Sequence, residues 1–138
     1  MNDTNCIFCK IATGVIPSAT VYEDDSFRVI MDIAPASKGH AIILPKTHAA
    51  NVFELSEEDA SNVFVVAKKV ATAMKEEYGC EGINILQNNG EVAGQTVFHF
   101  HMHLIPRYHD DEVTIKWAHK DQYDYDYEKM AEAVKQRL

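Results

Sequence analysis

One segment constrains this chain more than any other: Val97-Phe98-His99-Phe100-His101-Met102-His103-Leu104-Ile105. Histidine alternates there with large apolar residues. In an extended strand, successive side chains point to opposite faces. The alternation therefore predicts a strand with Phe98, Phe100, Met102 and Leu104 on the core and His99, His101 and His103 together on the other face. Neighbouring imidazoles on that face would lie ~7 Å apart and the outer two ~13 Å apart. Three imidazoles in a row add little to stability, because each has polar nitrogens that need partners and each titrates near pH ~6.5. Two chemical uses fit. Histidines two apart on a strand can chelate a metal, although ~13 Å is too far for one ion to hold all three. Alternatively, the row donates to phosphate oxygens while one imidazole acts as nucleophile. The adjoining stretch Asn88-Asn89-Gly90-Glu91-Val92-Ala93-Gly94-Gln95-Thr96 favours the second use. It is rich in amide and hydroxyl groups, and Gly94 permits close backbone approach to a ligand.

The rest of the chain supplies a frame for this strand. Its 138 residues are enough for one domain with its own core. Cys6 to Thr13 reads as a short helical turn, ended by Gly14 and Pro17. Thr20 to Glu23 and Phe27 to Met31 read as strands around an Asp24-Asp25 turn. Asp32 to Gly39 suits a loop, and His40 to Leu44 a short strand stopped by Pro45. Ser56 reads as the N-cap of a long helix over Glu57 to Tyr78, with Asp59 as the reciprocal acid. Ala60, Val63, Ala67, Val70, Met74 and Tyr78 recur on it at helical spacing, and Gly79 suits its C-terminal cap. Ile83 to Leu86 reads as a strand, and Thr96 to Arg107 as the longest one. Tyr127, Met130, Ala131, Val134 and Leu138 mark the apolar face of a closing helix. Strands without regularly interposed helices predict an α+β fold: an antiparallel sheet of about five strands with one long helix.

Charge and cysteine usage narrow the function classes. With 13 basic and 21 acidic residues the net charge is −8, and no basic run offsets it. Such a surface repels nucleic-acid backbones, so no nucleic-acid partner is expected, and any phosphate must be held by a local site. No apolar run approaches the ~20 residues of a membrane helix, and no basic stretch followed by an apolar one marks a signal peptide. The expected location is cytoplasmic. The odd cysteine count, Cys6, Cys9 and Cys80, argues against a disulfide framework. Cys6 and Cys9 form a C-x-x-C, spaced to clamp one face of a tetrahedral metal. No β-α-β context points to thioredoxin-type redox chemistry instead.

The segment His99-Phe100-His101-Met102-His103-Leu104-Ile105 resembles, position by position, the His-x-His-x-His-x-x motif with apolar spacers of the histidine-triad (HIT) family. Similarity extends through Ile7-Phe8, Ile16-Pro17, Glu23-Asp24, Asp32-Ile33, Gly39-His40, Pro45-Lys46, His48, Asn88 and Gly94-Gln95-Thr96. It looks like the bacterial form of the Hint branch. The resemblance covers a core of about residues 6–107 within a single domain 1–138. The extension 108–138 matches no usable pattern.

That resemblance implies a nucleotide-binding hydrolase. His101 would be the nucleophile, forming a nucleotidyl-imidazole intermediate that water cleaves, and the carbonyl of His99 would fix its tautomer. His103, Asn88, Gly94, Gln95 and Thr96 would bind the phosphate. Asp32 would accept from the ribose hydroxyls, and Ile7, Phe8, Ile16, Ile30 and Ile33 would line a slot for a purine. His40 would support the triad from a neighbouring strand. His48 and His99 would complete a structural zinc site with Cys6 and Cys9, not needed for the chemistry. The implied partners are purine nucleoside monophosphate derivatives and a second copy in a homodimer. The leading substrate class is nucleoside phosphoramidates. Dinucleoside polyphosphates, as in the Fhit branch, are an alternative. So is a nucleotide-binding interaction module with incidental catalysis.

Overall fold

The computed structural model describes residues 5–119 and 123–138. Five strands form one sheet in the order β1-β2-β3-β5-β4. They are β1 (Thr20–Glu23), β2 (Phe27–Met31), β3 (Ala41–Pro45), β4 (Gly82–Leu86) and β5 (Met102–Arg107). Every neighbouring pair is antiparallel. The helices are α1 (Ile7–Ala12), α2 (Glu57–Tyr78) and α3 (Tyr127–Lys135), and a single 3₁₀ turn covers Glu91–Ala93. The predicted α+β class and its antiparallel sheet are what the chain forms.

The two faces of the sheet have different tasks. Alternate residues of β2 and β3, Phe27 and Val29 with Ala41 and Ile43, join Phe100, Met102 and Leu104 beneath Val63, Val66, Ala67, Val70 and Met74 of α2. Each fully buried side chain of this kind contributes ~1.5–3 kcal/mol. The intervening residues Ile30, Ile42 and Leu44 point the other way and pack with Ala12, Phe8 and Ile11 of α1. His103 pairs with Ile42 across the β3–β5 ladder, so it stands on the α1 face. The functional residues gather on that face.

The caps of α2 follow the sequence. Ser56 Oγ accepts the Asp59 N–H at 3.0 Å, and Gly79 closes the helix in the left-handed region at φ 60°. Gly39 has a stricter role. Its φ is +91°, and a Cβ there would lie 2.5 Å from the Tyr78 ring, so only glycine lets the loop before β3 pass the end of α2.

The longest predicted strand is shorter than its alternation suggests. Thr96 to His101 lie outside the sheet, and β5 begins at Met102. The segment 96–101 runs along the loop after β3 instead: Phe100 N–H donates to the Ala49 carbonyl, and Gln95 Nε2 to the Ala50 carbonyl. The start of the segment escapes the two-residue period: Phe98 is 53% exposed, not on the core as predicted. From His99 onward the alternation persists, with Phe100 and Met102 in the core under α2 and His99 against Cys6, Phe8 and Cys9 on the side of α1. Smaller differences lie at β3, which starts after His40 and includes Pro45, opposite Phe27. Among the described residues no helix is long and apolar enough to cross a membrane.

Candidate active site and metal cluster

A cavity of about 510 Å³ opens between α1, the segment 16–19, the end of β2 and the histidine segment. His101, His103 and Thr96 form its polar wall, and Asp32 sits at one rim. Ile7, Phe8, Ile16, Ile30 and Ile33 line the apolar part, as the sequence predicts, together with Ile11, Ile42 and Val97, which it did not single out. Among the described residues no lysine or arginine lines the cavity.

Backbone groups decide the protonation of each imidazole. The His99 carbonyl can only accept, and it lies 2.7 Å from His101 Nδ1. His101 therefore carries its proton on Nδ1, and the Nε2 lone pair is free for a ligand. The His101 ring is held from the side by Phe8, edge-on at 5.0 Å between centroids, and lies 4.9 Å from the His103 ring. Burial lowers the pKa of His101 below the ordinary imidazole value, and it brings His103 down to about 4, with His101 and His40 adding to the fall. Both imidazoles are thus neutral at pH 7, the form in which one is a nucleophile and the other a hydrogen-bond donor.

His40 lies just before β3 and is buried. It does not line the cavity but touches it through His103, with Nε2 2.9 Å from His103 Nδ1. Its Nδ1 accepts the Ala36 N–H at 2.9 Å, and Asp32 Oδ2 lies 3.5 Å from its Nε2. Asp32 Oδ1 accepts the Ala34 N–H. Asp32, His40 and His103 bring three potential ligand atoms together, but the two imidazoles already face each other at hydrogen-bond distance.

The polar loop is organised differently from the sequence expectation. Gln95 is 2% exposed. Its Nε2 donates to the Ala50 and Val97 carbonyls, its Oε1 accepts from Gly90 N–H, and its own N–H donates to the Gly90 carbonyl. With these groups satisfied, Gln95 shapes the loop and has no donor left for phosphate. Asn88 and Gly94 are adjacent to each other, with an ideal Gly94 Cβ 3.4 Å from the Asn88 amide nitrogen, but neither lines the cavity. Thr96 alone of this loop's predicted set reaches the cavity wall.

Close to His101 in the chain, His99 belongs to a second cluster. The ligand atoms of Cys6, Cys9, His48 and His99 all lie within 4.8 Å of one another. His99 Nδ1 is 3.5 Å from Cys6 Sγ, 3.4 Å from Cys9 Sγ and 3.3 Å from His48 Nδ1, which is itself 3.3 Å from Cys9 Sγ. Bonds of ~2.3 Å to sulfur and ~2.0–2.1 Å to nitrogen put S and N vertices of a tetrahedron roughly 3.5 Å apart and two N vertices roughly 3.3 Å apart. The four donors therefore fit a tetrahedral metal ion. His99 Nε2 donates to the Pro45 carbonyl at 2.9 Å, which leaves Nδ1 as the lone-pair nitrogen and supplies the outer hydrogen bond typical of a metal-bound histidine. The sequence carried the cysteine pair plainly. The Pro45 carbonyl, a backbone group, leaves no such trace.

The fold and this pair of sites are those of a histidine-triad protein. The family model for the HIT domain matches residues 13–110, and the chain belongs to that family. A crystal structure of a HIT family member from Bacillus subtilis superposes with a TM-score of 0.90 at 44% identity, covering 97% of each chain. An adenosine 5′-monophosphoramidase, hnt1 of Schizosaccharomyces pombe, is 47% identical over 103 residues, covering 75% of this chain and 74% of its own. A Zn-bound histidine triad family protein from Mycobacterium smegmatis superposes with a TM-score of 0.76 at 36% identity, covering 83% of each chain.

Proposed function

We propose that this protein hydrolyses nucleoside phosphoramidates through a nucleotidyl-His101 intermediate. The observation that carries the reading is the His101 tautomer: Nδ1–H is held by the His99 carbonyl at 2.7 Å, so the Nε2 lone pair is offered to the cavity. Nε2 forms a bond to the α-phosphorus while the bond from phosphorus to the leaving amine breaks, and the amine departs with a proton taken from solvent, which the attacking water gives back in the second step. Water then cleaves the P–Nε2 bond, releasing the nucleoside monophosphate and neutral His101. His103 and Thr96 stabilise the phosphoryl oxygens. Asp32 accepts from the ribose, and the Ile7, Phe8, Ile16, Ile30 and Ile33 wall sandwiches a purine.

A nucleoside phosphoramidate is favoured over a dinucleoside polyphosphate because His101, His103 and Thr96 form one compact polar patch, enough for a single phosphoryl group. The similarity to an adenosine 5′-monophosphoramidase supports the same choice. Cys6, Cys9, His48 and His99 are the residues that would hold zinc. Bound there, zinc neutralises the two thiolates and ties the start of α1 to the loop after β3 and to the histidine segment.

The working form in this reading is a homodimer. Strand β4 is an open edge of the sheet. Beside it Phe64 and Ile85, 58% and 42% exposed, continue an apolar surface onto α2. Lys68, Lys75 and Glu81 border the same groove, and an open strand edge with apolar side chains beside it favours pairing with a second copy. Light scattering on the purified chain decides between one copy and two.

The decisive experiment is mass spectrometry of enzyme quenched during turnover of adenosine 5′-monophosphoramidate. A nucleotidyl adduct on His101, lost in His101→Ala together with hydrolysis while AMP still binds, is the expected result. No hydrolysis and no adduct by the wild-type protein overturns the reading.

A further inference from the structure

We propose that His40 is a positioning residue whose task is to fix the proton of His103 on Nε2, the nitrogen available to a ligand. A backbone amide sets the order of protons. The Ala36 N–H can only donate, and it lies 2.9 Å from His40 Nδ1. That nitrogen therefore presents a lone pair, and neutral His40 carries its proton on Nε2. His40 Nε2 lies 2.9 Å from His103 Nδ1, which must accept. The one proton of neutral His103 is then on Nε2.

The polarity is locked at its source. A second proton on His40 would set Nδ1–H against the Ala36 N–H, two donors facing each other. The loop holding that amide is tied down: Asp32 N–H donates to the His40 carbonyl, Ser37 Oγ to the Pro106 carbonyl and Tyr108 Oη to the Lys38 carbonyl. Asp32 Oδ2, 3.5 Å from His40 Nε2, adds a negative charge on the side where that nitrogen carries its proton.

The neighbouring imidazoles are thus set in opposite senses. The His99 carbonyl leaves His101 with a lone pair on Nε2, and the Ala36–His40 chain leaves His103 with N–H there. One nitrogen attacks while the other donates to the phosphoryl oxygens. A His103 tautomer with Nδ1–H would present a lone pair to the same oxygens and repel them. This catalytic consequence rests on the phosphoryl-transfer reading; the tautomer does not.

The test is two-bond proton–nitrogen NMR on the full-length ¹⁵N-labelled protein at pH 7.5, which distinguishes the two neutral tautomers, combined with kinetics on adenosine 5′-monophosphoramidate. The wild type should show His103 protonated on Nε2. His40→Ala should show a mixture of tautomers and lose ~10- to 100-fold in kcat, less than the ~10²–10³ typical of losing a donor outright, with KM changed less than about twofold. His40→Gln, whose side-chain amide can still donate to His103 Nδ1, should restore the Nε2–H form and most of kcat. On a His103→Ala background, His40→Ala should cost nothing further. His103 protonated on Nδ1 in the wild type overturns the proposal, as does an unchanged single tautomer in His40→Ala. If His40→Ala does not fold, the wild-type and His40→Gln spectra still decide. The expected tautomers in a wild-type protein without hydrolysis or adduct would support the positioning role and remove the phosphoramidate reading alone.

Discussion

His99 serves His101 with its carbonyl, 2.7 Å from His101 Nδ1, and serves the cysteine cluster with its ring, 3.4 Å from Cys9 Sγ. One residue thus ties the orientation of the His101 ring to the integrity of a metal-type site. The ring is anchored by Pro45 on one side and by the cluster on the other, and the carbonyl belongs to the same residue.

Removing a thiolate should therefore be felt twice. Cys9→Ser is expected to lose stoichiometric zinc, read by elemental analysis of natively purified protein. Loss of a structural site worth about 3 kcal/mol or more should lower Tm by roughly 10 °C. The kcat should fall as well, because the residue whose carbonyl holds His101 loses one of its anchors. Zinc content unchanged in Cys9→Ser would place any metal elsewhere.

Acid should destabilise the fold through His103. Its pKa falls from the ordinary 6.5 to about 4 on burial. Between those values the unfolded chain binds the proton that the folded one refuses, so stability rises with pH across the window. The contribution is complete above pH ~6.5, declines as pH falls, and is fully lost below pH ~4. Metal release in acid has the same sign, so the check is the difference in urea midpoint between wild type and His103→Gln from pH 7 to pH 4.5. The wild type should show the steeper fall.

Asp32 should discriminate sugars. Its Oδ1 accepts the Ala34 N–H and the carboxylate lies at the rim of the cavity. Asp32→Asn is expected to lower kcat/KM for a ribonucleotide substrate by about tenfold or more, the loss of a charge-assisted hydrogen bond. It should change the 2′-deoxy analogue much less. Equal losses on both substrates would remove the ribose role.

Gly39→Ala should destabilise by about 2–4 kcal/mol, since it combines a disfavoured φ with a collision on the Tyr78 ring. Urea denaturation reads this directly. Adding Tyr78→Ala should relieve the collision but leave the backbone strain, so Gly39→Ala should cost less on a Tyr78→Ala background than in the wild type.

Much of this architecture was legible in the sequence wherever side chains carried the signal. The α2 caps at Ser56 and Gly79, the alternation of β2 and β3 and the Cys6-Cys9 spacing all expressed local rules that the tertiary structure kept. The alternation at Phe98 misled because periodicity reports a ladder only where a partner strand exists, and 96–101 has a loop beside it instead. Gln95 misled because an amide that could bind phosphate is equally able to satisfy carbonyls of its own loop. The tautomers were only partly legible. The carbonyls of His99 and Pro45 and the amide of Ala36 set them, and such groups are present in every residue of every chain.

The two residues between the cysteines belong to both sites. Ile7 and Phe8 fill the C-x-x-C spacer, and both line the cavity, with Phe8 edge-on to His101. The length of the spacer is set by the metal-type cluster, while its side chains shape the cavity. A change of side chain there can reshape that wall and leave the cysteines in place, whereas an insertion or deletion would disturb both sites at once. Variation at this wall is thereby confined to substitution.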